Sequence, residues 1–157
     1  MIHTVQGLKH AAAAACRRLL PLALLVGGAS PASAHSYEFA LADAPGSTHY
    51  FGVLCFTEGG YETDHLFLEL RTRTAGGPRV SAQVIKERVA THTTDLIGGD
   101  AVFSPATRTR GGNGLYQVLI NKSGPGVVVF EVNVHCLDAT GTQHTGTDGV
   151  VYQYQGP

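Results

Sequence analysis

The cleanest alternation of apolar and polar positions in this chain runs over 65–73, where Leu66, Leu68 and Leu70 share one parity and His65, Glu69, Arg71 and Arg73 the other. A two-residue period is that of a β-strand with one buried and one wet face, and Phe67 is the one apolar residue on the polar side. The same period recurs. Tyr37, Phe39 and Leu41 oppose Glu38; Phe51, Val53 and Cys55 share a parity within 48–57; Val80, Ala82 and Val84 open a strand reaching about Arg88. Leu54 and Phe56 make the second face of 48–57 apolar too, which marks it as a central strand.

Turn chemistry separates these runs: Asp43-Ala44-Pro45-Gly46, Glu58-Gly59-Gly60 and Ala75-Gly76-Gly77-Pro78. The run 114–122 and the run 128–136 flank Ser123-Gly124-Pro125-Gly126, so 114–136 predicts an antiparallel hairpin. In its second half Phe130, Val132, Val134 and Cys136 point to a core, opposite Glu131, Asn133 and His135. The segment 89–97 has β propensity at 91–94 but little apolar content and reads as an edge strand or a loop. Residues 101–104 form a short apolar segment, 107–113 reads as an exposed connection, and 138–149 reads as a Gly- and Thr-rich loop before a last strand over 150–155. About seven to nine strands, with no helical period after residue 34, predict an all-β, antiparallel β-sandwich, immunoglobulin-like or similar. The chain has no tryptophan, so the core Trp usual beside an immunoglobulin disulfide is missing.

The first 34 residues change the picture. Lys9, His10, Arg17 and Arg18 form a basic region, 19–26 an apolar one, and Ala32-Ser33-Ala34 a small-residue cleavage site, the pattern of a cleavable signal peptide. The mature chain then begins at His35, 35–157 is a single domain, and the destination is periplasmic or secreted. The apolar run is too short, and too broken by Pro21 and Gly27-Gly28, for a stable membrane span. Of eleven Lys and Arg three lie in 1–34, leaving eight against all twelve Asp and Glu, so the mature part is acidic and offers nucleic acid no basic surface. Cys55 and Cys136 remain after cleavage, and an even pair in an exported chain reads as a disulfide.

The motifs of several chemistries are absent. There is no Gly-x-Ser-x-Gly, no clustered Cys and His of a structural zinc site, and no Asp-x-Asp calcium loop. Met1 is the single methionine, which removes the axial ligand usual in blue-copper sites. The feature with chemical content is His35 at the new amino terminus. An α-amino group and an imidazole on one residue can chelate a metal ion through two nitrogens, and a second histidine completes a T-shaped three-nitrogen set that favours copper.

This arrangement resembles the histidine brace of lytic polysaccharide monooxygenases and of the CopC-like periplasmic copper carriers, exported β-sandwich proteins that begin with His after cleavage. The resemblance implies copper as the bound metal. It departs from the carriers near the C-terminus, where Asp148 is followed by Gly149 and Val150 instead of completing Asp-x-His. The partner histidine comes from His49, His65, His92, His135 or His144; His65, His135 and His144 are preferred, with Asp64 placed to orient the His65 ring. The expectation is an exported copper-binding protein, not an enzyme. The alternative is a non-catalytic module that contacts an extracytoplasmic protein or glycan through an apolar patch of Leu54, Phe56 and Phe67.

Overall fold

The computed structural model describes residues 35–155; the segment read as a signal peptide lies outside the described residues. Within them nine strands form and no helix: β1 His35–Leu41, β2 Thr48–Phe56, β3 His65–Thr72, β4 Val80–Lys86, β5 Val89–Asp95, β6 Thr107–Arg110, β7 Gly114–Lys122, β8 Val128–Leu137 and β9 Gly146–Gln155. They make two antiparallel sheets, ordered β1-β8-β3-β6 and β5-β4-β7-β2-β9.

The parities read from the sequence set the core. Leu66, Leu68 and Leu70 of β3 and Val128, Phe130, Val132 and Val134 of β8 are fully buried from one sheet, and Val53, Val80, Ala82, Val84, Tyr116, Val118 and Ile120 from the other. Burying each such side chain is worth about 1.5–3 kcal/mol, which is why the alternation decides the layering. β2 is an interior strand, between β7 and β9, as its second apolar face requires.

The expected 114–136 hairpin does not form. β7 pairs with β2 and β4 in the five-stranded sheet, and β8 pairs with β1 and β3 in the four-stranded one. Each run carries a complete inward apolar face, and two such faces are better served by opposing each other across the core than by lying edge to edge in one layer. The turn residues serve other loops. Ser123 N–H donates to the Arg79 carbonyl at 3.0 Å, and Gly126 N–H to that of Asp43 at 3.0 Å. The buried Lys122 Nζ donates to the carbonyls of Ala42, Asp43 and Gly126, fixing the arch between the sheets.

Two further segments differ from expectation. Residues 107–110 form a strand, β6, paired with β3, because Thr107 and Thr109 fill the inward positions while Arg108 and Arg110 face water. Thr109 finds a partner on β5, its hydroxyl bonding that of Thr91 at 2.5 Å, and Thr93 Oγ1 of β5 donates to the carbonyl of Pro105, just before β6, at 2.6 Å. The last strand begins at Gly146, since Thr147, Asp148 and Gly149 already pair with Cys55, Leu54 and Val53. Residues 89–95 are an edge strand, and 101–104 have no regular structure.

Cys55 and Cys136 form a disulfide with Cα atoms 5.6 Å apart, joining β2 of one sheet to β8 of the other. Beside it Cys136 N–H donates to Thr147 Oγ1 at 3.0 Å. These links tie the start of β1, the ends of β2 and β8 and the start of β9 to one end of the molecule.

Candidate metal centre

His35 and two of the three preferred partners, His135 and His144, lie together at this end. His35 opens β1 opposite Val134, one position before His135, which pairs with Phe67 of β3. The rings of His135 and His144 stand 4.8 Å apart between centroids, edge to face at 87°. His35 and His144 in turn line a recess of about 260 Å³ with Phe56, Glu58, Thr145 and Thr147. His144 is thus common to both contacts.

The loop after β8 delivers His144. The Asp138 carboxylate accepts hydrogen bonds from the Thr140 hydroxyl and from the backbone N–H groups of Thr142 and Gln143, an Asx-type arrangement that curls the chain back. Leu137 and His144 form an isolated bridge, Thr145 N–H donates to the Cys136 carbonyl, and the Thr63 and Thr145 hydroxyls bond at 2.7 Å. The entry of β9 is equally constrained. A Cβ on Gly146 would fall 2.1 Å from Phe56 Cε2, so only glycine lets the ring that lines the recess lie on this backbone.

Burial, then the neighbouring His144 and His35, pushes the His135 imidazole down to about 4. The ring is therefore neutral at physiological pH, the form in which histidine ligates a metal. Its Nδ1 is buried without a hydrogen-bond partner. The His35 ring stacks on Tyr37 at 6.4 Å and 19°, and Tyr37 on Phe39 at 6.1 Å and 16°. Burial, then the Asp148 charge, raises the Tyr37 phenol above its ordinary value.

The other histidines are placed apart from the recess. His65 is buried, its Nδ1 2.9 Å from Asp64 Oδ2 as the sequence suggested, with Nε2 unpartnered beneath the 138–145 loop, which passes over it at Gly141. His49 is enclosed by Phe39, Phe51 and Phe130, and His92 lies on the exposed edge of the five-stranded sheet. Among the described residues, no three His, Cys, Asp or Glu side chains form a ready metal-binding group.

Glu58 lines the recess although the sequence marked it only as the start of a turn. The Gly-Gly pair following it signals a two-residue turn, but which strand ends lie beside that turn follows from the sheet order alone. The expected Leu54, Phe56 and Phe67 patch is divided. Phe67 lies on β3 in the other sheet, with the Arg108 guanidinium 5.2 Å over its ring, while Leu54 pairs with Leu115 on the five-stranded sheet. Comparison of the chain with family models, curated proteins and solved structures finds no match.

Proposed function

We propose that this is an exported protein that binds copper(II) at the end where His35, His135 and His144 converge. Removal of residues 1–34 turns the His35 peptide nitrogen into a free amine, which with its imidazole supplies two donors; His144 supplies a third, and His135 stands behind it. One nitrogen of this set comes from the main chain, so the set does not require three converging side chains. Nitrogen donors without thiolate suit Cu(II) among divalent first-row metals. The observation that carries this reading is the single recess shared by His35 and His144, with His135 in ring contact with His144.

The test is a Cu(II) titration of the exported product beginning at His35, against the same product with one additional N-terminal residue. We expect submicromolar binding for the first and a loss of about 100-fold for the second, with His144→Ala weakening binding at least about tenfold. Equal affinity with and without the added residue would exclude the amino-terminal chelate.

One observation favours the interaction-module alternative: Phe56 and Leu115 are each 42% exposed on the five-stranded sheet, and Leu54 lies opposite Leu115. An apolar face of this kind suits contact with another extracytoplasmic protein. It predicts a product beginning at His35 that ignores Cu(II).

A further inference from the structure

Among the described residues that line the histidine recess there is one acid. Glu58 follows β2, and its backbone is locked by reciprocal hydrogen bonds: Glu58 N–H donates to the Tyr61 carbonyl at 3.2 Å, and Tyr61 N–H to the Glu58 carbonyl at 3.0 Å. Between them Gly59 and Gly60 have φ of 62° and 85°, the left-handed pair of a type I′ turn. The backbone is fixed, yet the carboxylate makes no hydrogen bond or ion pair with any described residue. Glu131, by contrast, is held by Arg71, Arg73 and Ser36, and Asp64 by His65 and Arg110. Glu58 is exposed and sits on a constrained turn that lines the same recess as His35 and His144, so its charge acts on a cation that enters there.

On the strength of the copper reading above, we propose that Glu58 determines the oxidation-state preference of the site, favouring Cu(II) over Cu(I). The Coulomb attraction of one carboxylate doubles between a monovalent and a divalent ion at the same place, and screening by the water in an open recess reduces both alike. Oxygen donors reinforce the bias, because Cu(I) prefers the soft thiolates and thioethers that this recess lacks. The effect needs only proximity to the ion, not a bond to it.

The experiment measures Cu(II) affinity by titration, Cu(I) affinity by anaerobic competition with a chromophoric chelator, and the reduction potential by voltammetry, for the product beginning at His35 and its Glu58→Gln and Glu58→Asp variants. Glu58→Gln keeps the size and removes the charge. It is expected to weaken Cu(II) about tenfold and Cu(I) about threefold, half the loss in free energy, raising the potential by about 30 mV, the one-electron equivalent of that roughly threefold difference. Glu58→Asp keeps the charge and is expected to retain most of the Cu(II) affinity. Equal loss for both oxidation states, or no loss, overturns the role of Glu58 while leaving the histidine site standing. A parent protein that binds no Cu(II) overturns the copper reading and this inference with it.

Discussion

His49 is 1% exposed, and neither of its ring nitrogens has a hydrogen-bond partner. Its ring lies 4.1 Å from that of Phe39 and is flanked by Phe51 and Phe130, so it acts as an aromatic filler with two polar atoms left over. Burial lowers its basicity below the ordinary imidazole value. The unfolded chain therefore binds this proton more readily than the folded one, and stability falls as pH drops through about 6.5, by at most about 1.4 kcal/mol per pH unit from this group. His49→Leu removes the titrating group and the unsatisfied nitrogens, the latter costing about 1–3 kcal/mol where buried. Urea unfolding at pH 7 and pH 5 is expected to show a smaller acid loss in the variant than in the parent; parallel losses would mean that His49 takes up a proton inside the fold.

At the scale of elements, the arch joining β7 to β8 depends on Lys122, 7% exposed, whose ammonium holds the carbonyls of Ala42, Asp43 and Gly126. Lys122→Met keeps the stem and removes the donors, and is expected to lower the urea midpoint by the equivalent of about 2 kcal/mol without changing the slope. Copper affinity, set at the other end of the strands, should be unaffected. The same arch shows where the sequence stopped being legible. Period-two patterning placed Phe130, Val132, Val134 and Cys136 inward correctly, because side-chain direction is local. Whether 114–122 pairs with 128–136 or faces it is decided by which other strands occupy their edges, and a Ser-Gly-Pro-Gly turn suits either outcome. Strand β6 escaped notice because its inward positions are threonines, which carry no apolar signal, and Thr109 finds its hydroxyl partner only across on β5. The sequence offered the histidines as candidate donors and His35 as an expected new terminus, but left His65 and His144 equivalent. The difference is that the 138–145 loop covers one and presents the other.

For the whole molecule, the disulfide is the link between the two sheets nearest to the histidines. It closes a loop of 81 residues, so replacing Cys55 and Cys136 together by Ala is expected to cost about 4 kcal/mol, read as a lower midpoint in chemical unfolding. The proposed copper site would depend on the same end of the molecule and on one covalent event, the release of the His35 amine. Native mass spectrometry of the exported protein, incubated with one equivalent of Cu(II), reads both at once. The expected result is a chain beginning at His35, with its disulfide intact and one copper ion bound. A chain that still carries residues 1–34, or one that begins at His35 and stays free of copper, would contradict it.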